Sequence, residues 1–400
     1  MKKRFILLIL SFLQITAGVS QTKNEIFEIL NLIHADSIKR TVQELQEFGT
    51  RRADRPPDGN LNVAQYLVNR LKEYGIANAR MDTFIYQKLN GDTFTGYNVL
   101  GTITGEVPDS TVIIGAHLDS RNGHNNDLLT PAPGADDNAT GCAQTIELAR
   151  IFFTKEIKPR YNIDFMAYDF EEFGLHGSFF DAKKRKDADE NIVMMLNNDM
   201  VGYQPEDKEW LLTLHWYDNS LDITKKAVEF CKEFTDITPF KPEPEDNYDM
   251  YGRSDSYAYF TYGFKTTFNI EYTFSPYYHS DNDLWEYLNF DYQKQVAHLN
   301  LALLLYYSKS PFNLSIDDIN YAQFIDVVPN PATNFVRVQH GNDIDVSEIS
   351  IYDIMGRLHH SYPCYETRQT VINIQNLSKG VYLLKINTNK GTVTKKIIKL

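Results

Sequence analysis

Short β-branched runs alternate with helical stretches through the middle of this 400-residue chain, and this alternation constrains its fold more than any other feature. Strands are predicted over four apolar runs: Thr111–Ala116, Ile163–Tyr168, Ile192–Leu196 and residues 265–270. Apolar residues at helical spacing predict helices over 24–49, 60–74, 138–153, 178–186, 220–234 and 291–307. Strands that alternate with helices favour an α/β fold with a mostly parallel central sheet and helices on both faces.

Residues that can bind metal lie at the ends of these strands. Five segments supply them in order: Ala-His117-Leu-Asp119-Ser, Gly-Ala-Asp136-Asp137-Asn, Asp169-Phe-Glu171-Glu172-Phe-Gly, Asn-Asp199-Met and Tyr-Tyr278-His279-Ser-Asp281. Ligands of open α/β sheets bind beyond the carboxyl ends of the strands, so these side chains are expected to meet there. Two histidines and several carboxylates suit one or two divalent ions, with zinc the leading candidate. This combination indicates metal-assisted hydrolysis.

The division of roles follows from what two zinc ions need. Terminal nitrogen and oxygen ligands can come from four residues: His117, Glu172, Asp199 and His279. Two closely spaced ions also need one carboxylate that bridges them. Asp137 is the candidate for the bridge, and Asp136 remains an open alternative.

Glu171 is expected to act as a general base. Two adjacent glutamates cannot both point at one ion, so if Glu172 is a ligand, Glu171 is free to take a proton from the attacking water. Asp119, two residues after His117, is better placed as a partner for that imidazole than as a ligand.

Together these segments resemble the secreted bacterial di-zinc aminopeptidases, the bacterial leucyl aminopeptidase-like family. The resemblance covers roughly residues 40–308 and rests on five motifs in the family's order. It implies a zinc-dependent aminopeptidase that carries two zinc ions per chain and acts on peptide or protein N-termini. By the same resemblance, His117 and Asp199 hold one zinc. Glu172 and His279 hold the other, and Asp137 bridges the two.

The resemblance also assigns residues around the ligands. It implies Glu171 as the general base and Tyr278 as a donor to the oxyanion, a role that suits a phenol. The segment Gly252-Arg253-Ser254-Asp255 resembles a family segment beside the substrate amine. Gly252, Arg253 and Asp255 are therefore expected to contact the substrate or to support the ligands.

Two other functions use the same fold. A glutaminyl cyclase-like zinc acyltransferase has overlapping ligand types, but those cyclases resemble a site with Trp before the last histidine, where this chain has Tyr278. A non-catalytic exported peptide-binding protein has no need of a free proton acceptor such as Glu171. Both comparisons favour the peptidase.

The two ends of the chain differ from its middle. Residues 1–20 are predicted to be a signal peptide, with basic Lys2-Lys3-Arg4 before the apolar run Phe5–Leu13. A peptidase domain is expected over 21–310 and a linker over 311–322. Residues 323–400 consist of short alternating runs broken by turn residues, which predict a small all-β sandwich.

The C-terminal segment resembles the type IX secretion sorting domains of Bacteroidetes-type bacteria. The matching pieces include Val-Pro329-Asn-Pro331 and Leu377-Ser-Lys-Gly380-Val-Tyr382. The resemblance implies the export machinery as a partner and a secreted or cell-surface location.

Charge and composition exclude several other classes. The formal net charge is −13, and both ends are net basic, so the acidic excess lies in the middle, which disfavours nucleic acid as a partner. The three cysteines form no Cys-x-x-Cys pair, which excludes a zinc site built from thiolates. No stretch after the predicted signal peptide is long and apolar enough to span a membrane.

Overall fold

The computed structural model describes residues 23–55, 57–123, 130–310, 325–340, 344–353, 357–364, 369–389 and 391–400. Contacts divide the chain into two compact units, Met1–Leu314 and Ser315–Leu400. The predicted signal peptide (1–20) and linker (311–322) lie outside the described residues, and the predicted domain boundaries stay predictions. Within the described residues, no helix has the length and apolar character needed to cross a membrane.

The first unit alternates helices and strands over most of its length. Its α-helices are α1 (Lys23–Leu30), α2 (Ala35–Gln46), α3 (Leu61–Glu73), α4 (Gly141–Thr154), α5 (His176–Asp187), α6 (Leu221–Phe234), α7 (Pro244–Asp249), α8 (Ser256–Thr261) and α9 (Phe290–Tyr307). Its strands are β1 (Arg80–Gln87), β2 (Thr93–Ile103), β3 (Ser110–His117), β4 (Asn162–Tyr168), β5 (Asn191–Asn198), β6 (Leu211–Trp216), β7 (Thr238–Phe240) and β8 (Thr266–Glu271).

These strands form one mixed sheet in the order β1-β2-β4-β3-β5-β8-β6-β7. The neighbours β4, β3, β5 and β8 run parallel to one another, which confirms the mostly parallel centre. On one face, α5 and α8 pack in a cluster with Ile113 and Met195. Helices α4 and α9 also contact β3, whose residues are all buried. The central strands are therefore apolar throughout because both of their faces are covered.

The outer pairings of the sheet include antiparallel ones that the sequence does not mark. They join β1 to β2, β2 to β4 and β6 to β8. In β2, Gly96 and Gly101 interrupt the apolar pattern. A search for continuous apolar runs therefore finds the buried parallel strands and misses this one.

The single helix predicted over 24–49 is wrong, because the structure divides it into α1 and α2. Helix α1 ends at Leu30 and α2 begins at Ala35. The backbone N–H of His34 donates to Oε1 of Glu147 in α4 at 2.9 Å. This hydrogen bond holds the segment between α1 and α2 against α4.

The α-helix predicted from residue 138 begins at Gly141, directly after a π-helical turn over Ala135–Thr140 that is distorted at Asp137 and Asn138. Asn138 Oδ1 accepts from the N–H of Gly141 at 2.9 Å, and Asn138 Nδ2 donates to the carbonyl of Asn198 at 2.9 Å. Asn138 thus links the start of α4 to the end of β5. A Cβ on Gly141 would lie 2.3 Å from the Asn198 carbonyl oxygen, so this close approach requires glycine.

The second unit contains two antiparallel sheets that share one core. Its strands are β9 (Ile325–Val328), β10 (Phe335–His340), β11 (Val346–Asp353), β12 (Leu358–Pro363), β13 (Gln369–Asn373), β14 (Gly380–Thr388) and β15 (Gly391–Lys399). They pair in the orders β13-β10-β9 and β12-β11-β14-β15. Val336 and Ile372 of the first sheet pack with Ile351, Leu384 and Ile397 of the second. The predicted small all-β sandwich is confirmed.

Candidate metal centre

The ends of neighbouring strands bring the predicted ligands together. His117 is the last residue of β3, Glu172 follows β4, and Asp199 follows β5 directly. His279 lies in the loop after β8, and Asp137 lies in the turn before α4. Because β4, β3, β5 and β8 are parallel neighbours, their carboxyl ends meet at one edge of the sheet.

Two groups of side chains at this edge could hold a metal ion. The first ligand group is His117, Asp137 and Asp199; the second ligand group is Asp137, Glu172 and His279. His117 Nε2 lies 3.1 Å from Asp137 Oδ1 and 3.2 Å from Asp199 Oδ1. His279 Nε2 lies 3.0 Å from both Asp137 Oδ2 and Glu172 Oε2. One oxygen of Asp137 therefore faces each group, as a carboxylate shared by two ions would.

The donors fit a pair of zinc ions. His279 Nε2 and Glu172 Oε1 are buried, yet neither atom makes a hydrogen bond within the described part of the chain. Buried polar atoms without a partner are rare in proteins, and a bound ion is one way of satisfying them. One imidazole and two carboxylates in each group are a donor set that zinc accepts. Burial opposes the charged form of Asp137, but the two imidazoles hold the pKa of its carboxyl well below the usual range.

Asp136 does not face either ligand group. Its Oδ1 accepts a hydrogen bond from the N–H of Gly202 at 3.0 Å. Burial, with the nearby charge of Asp283, raises the pKa of Asp136 to about 8. Of the two adjacent aspartates, only Asp137 belongs to the two ligand groups. Asp281, from the last predicted segment, is exposed and bonds to Asn282 instead.

Asp283 orients the turn that presents Asp137. Its two carboxylate oxygens accept the backbone N–H groups of Asp136, at 2.8 Å, and of Asp137, at 3.0 Å. Asp283 could not be predicted as part of the site, because a residue that acts through backbone groups leaves no ligand pattern in the sequence.

Arg51 joins two of the ligand-bearing segments and was also missed. Its fully buried guanidinium donates from Nε to the carbonyl of Leu118 at 2.9 Å and from Nη2 to that of Gly134 at 2.7 Å. Leu118 directly follows His117, and Gly134 begins the turn that carries Asp137. Arg51 therefore fixes the spacing of two ligands that are far apart in sequence.

Glu171 lies beside the first ligand group without belonging to either group. Its Oε2 is 3.9 Å from His117 Nε2. The Asp119 carboxylate accepts the backbone N–H groups of Glu171, at 3.1 Å, and Glu172, at 3.2 Å. Burial raises the pKa of Glu171 well above its usual range, with the charge of His117 opposing and that of Asp199 reinforcing this shift.

Asp119 contacts His117 mainly through its backbone. His117 Nδ1 lies 3.0 Å from the Asp119 carbonyl oxygen and 3.6 Å from its carboxylate. The carbonyl can accept the Nδ1 proton, which leaves Nε2 free to bind an ion. Asp119 is thus the predicted partner of His117, but through its backbone carbonyl. Its carboxylate instead accepts the backbone N–H groups of Glu171 and Glu172.

The segment from Gly252 to Asp255 has two exposed residues followed by two buried ones. Arg253 lines the pocket described below, and Gly252 is exposed. Ser254 Oγ donates to Asp199 Oδ2 at 2.7 Å, so it orients this ligand. Asp255 is fully buried and is not among the residues that line this pocket.

A pocket of about 250 Å³ opens beside the two ligand groups. Its acidic end is formed by Asp137, Glu171, Glu172 and Asp199. Its apolar wall is formed by Met200, Met250, Phe268, Ile270 and Phe274. Tyr278 also lines it, with 40% of its surface exposed and its ring stacked on His279 at 3.7 Å between centroids. Burial and the surrounding carboxylates raise the pKa of Tyr278 above its usual range, so its hydroxyl remains a donor.

Comparison with known proteins gives matches over both units. A sequence model described as Peptidase family M28 matches residues 98–304, and one described as a secretion system C-terminal sorting domain matches 326–400. The chain is 30% identical over 278 residues to a probable leucine aminopeptidase of Arthroderma otae, covering 67% of this chain and 71% of that protein. It is 36% identical over 191 residues to a probable zinc metalloprotease of Pyrenophora teres f. teres, covering 44% of this chain but only 40% of that protein.

Solved structures share the fold at lower identity. LapB from Legionella pneumophila superposes with a TM-score of 0.59 at 24% identity, covering 71% of this chain and 74% of that one. A Bacteroides thetaiotaomicron glutaminyl cyclase bound to N-acetylhistamine gives 0.56 at 20% identity, covering 67% of this chain and 96% of that one. At such identities the likeness concerns the fold alone, and it does not separate the peptidase interpretation from the cyclase one.

Proposed function

Because the chain belongs to peptidase family M28, we propose that it is an exported zinc-dependent aminopeptidase that binds two zinc ions. One observation carries the proposal. Asp137 turns one oxygen to each ligand group, while Glu171 stands beside them, belongs to neither group and faces the pocket. Metal-assisted hydrolysis of a peptide bond needs a bound metal and a nearby carboxylate that is not a ligand and can act as a general base.

The residues of the site have separate tasks in this reaction. Zinc, when bound, supplies a Lewis acid that polarises the substrate carbonyl and lowers the pKa of a water molecule. Glu171 takes a proton from the attacking water and passes it to the leaving amine. Asp119 holds the peptide N–H of Glu171 and thereby fixes its position. Tyr278 donates a hydrogen bond to the oxygen on which negative charge develops.

The shape of the pocket supports removal of one residue from the amino end. The substrate carbonyl must reach the ions at the carboxylate-lined part of the pocket, so the amine of the first residue lies there as well. The apolar side chains in the lining suit an uncharged first side chain, and the volume of about 250 Å³ leaves little room beyond one residue. An acyl group on the amine would add bulk at this part of the pocket.

Export is supported by the second unit. The sorting-domain match over 326–400 favours passage through a type IX secretion system, with that machinery as a partner of the chain. We place the enzyme outside the cell or at its surface, where its substrates are the N-termini of external peptides or proteins.

Peptides with free and with acetylated N-termini test the aminopeptidase assignment. The purified protein should release the first residue from the free peptide only, and a chelator should abolish this release until zinc is restored. Equal hydrolysis of the acetylated peptide would exclude an aminopeptidase. A peptide that begins with glutamine tests for cyclase activity, because a cyclase releases ammonia and leaves the residue in place, whereas an aminopeptidase releases the residue.

A further inference from the structure

The two ligand groups have matching donors but different surroundings. Each combines one imidazole, one terminal carboxylate and one oxygen of Asp137. Donor chemistry alone therefore gives the two groups similar affinity for zinc. Any difference between them must come from the charges and the hydrogen bonds around them.

Acceptors and anions surround the first ligand group. The Glu171 carboxylate lies 3.9 Å from His117 Nε2, and the Asp119 carboxylate lies 3.6 Å from His117 Nδ1. Ser254 adds a neutral donor to the oxygen of Asp199 that faces away from His117. Oxygen acceptors at these distances favour the binding of a cation there.

A guanidinium touches the second ligand group. Arg121 Nε lies 2.9 Å from Glu172 Oε2, the same oxygen that lies 3.0 Å from His279 Nε2. Arg121 Nε makes no aligned hydrogen bond, so the contact is one of charge. Among the described residues, Arg121 is the only lysine or arginine within 4.0 Å of a carboxylate of either group. An ion in the second group must share Glu172 Oε2 with this positive charge.

We infer that Arg121 makes the second ligand group the weaker of the two zinc sites, so that the first group fills before it. This inference rests on the proposed function only in requiring that both groups bind zinc. The Arg121 side chain is 40% exposed, and solvent screens part of its repulsion. Even so, a unit charge this close to a divalent ion should weaken binding by about tenfold or more. The active pair would then assemble only when external zinc is high enough to fill the second group.

Zinc titration of the metal-free protein against a chromophoric chelator tests this directly. The wild type should bind two ions in separate steps, with the second step at least about tenfold weaker. Arg121→Met should tighten the second step by about tenfold and leave the first step unchanged. Arg121→Lys keeps the charge and should titrate like the wild type. His279→Ala should remove the weak step and keep the tight one.

Several results would overturn the inference. One is a second zinc-binding step that is unchanged or weakened in Arg121→Met. Another is loss of the tight zinc-binding step in His279→Ala. Weakening in Arg121→Met would show that Arg121 serves to hold Glu172 in place. Circular dichroism checks the fold, and Arg121→Gln provides the same comparison if the methionine variant does not fold. Two equally tight ions in the wild type would contradict only this inference, whereas no zinc binding at all would contradict the proposed function as well.

Discussion

A Glu171→Gln variant is expected to lose at least ~10²-fold in kcat while it still binds both zinc ions. Glu171 belongs to neither ligand group, so the substitution leaves the donors in place. Glutamine has nearly the same size and can keep the backbone hydrogen bond to Asp119, but it cannot accept a proton. The loss should therefore appear in kcat, measured with a free N-terminal peptide at saturation, with little change in zinc content.

Glu172→Gln is the matched control for that experiment. The same chemical change one residue later removes a charged ligand, so zinc should be lost from the second ligand group. The adjacent variants thus separate proton transfer from metal binding. Full activity in Glu171→Gln would refute the role of general base.

An Asp137→Asn variant is expected to lose both zinc ions and with them the activity. Each ligand group uses one oxygen of this carboxylate, and an amide offers a single neutral oxygen in its place. Changing an outer partner of a metal ligand already costs about 10–100-fold in affinity, so loss of a shared ligand should cost more than ~10²-fold. Zinc content after dialysis and kcat/KM for a free N-terminal peptide measure the two effects.

Asp136→Asn makes the same substitution on the neighbouring residue. Asp136 accepts from the N–H of Gly202 and faces neither ligand group, and an asparagine oxygen can accept the same hydrogen bond. The control should therefore retain its zinc. If Asp136→Asn lost both ions and Asp137→Asn kept them, the bridge would have been assigned to the wrong residue.

The meeting of the candidate ligands could be predicted because strand ends determine where they lie. His117, Glu172 and Asp199 each stand at or just after the end of a buried apolar strand, and such strands are visible in sequence. Once the sheet is known to be parallel there, their convergence follows. The choice between Asp136 and Asp137 did not follow, because it depends on the backbone of one turn, where Asp137 leaves helical geometry with φ −106° and ψ 89°.

Backbone conformation at the site also lies beyond sequence reasoning. Phe170, Met200 and His279 have positive φ values of 61°, 52° and 52°, which side chains of this size rarely adopt. His279 belongs to the second ligand group, Phe170 precedes Glu171, and Met200 follows Asp199. Tertiary contacts hold such conformations in place, as Phe84 and Tyr86 do by packing against Phe170.

The supporting residues were missed for a related reason. Arg51 acts through backbone carbonyls and Asp283 through backbone N–H groups, so neither has a partner that sequence spacing could indicate. Arg121 contacts Glu172, which lies 51 positions further along the chain. Only the folded chain shows that these residues meet.

The zinc content of the purified, active protein shows whether two bound zinc ions support the activity. Elemental analysis alongside the peptide assay should find two zinc ions per active chain, since each ligand group can hold one. Activity should fall as the chelator removes them and return as zinc is added back. Full activity in protein that contains no stoichiometric zinc or other transition metal would contradict the account.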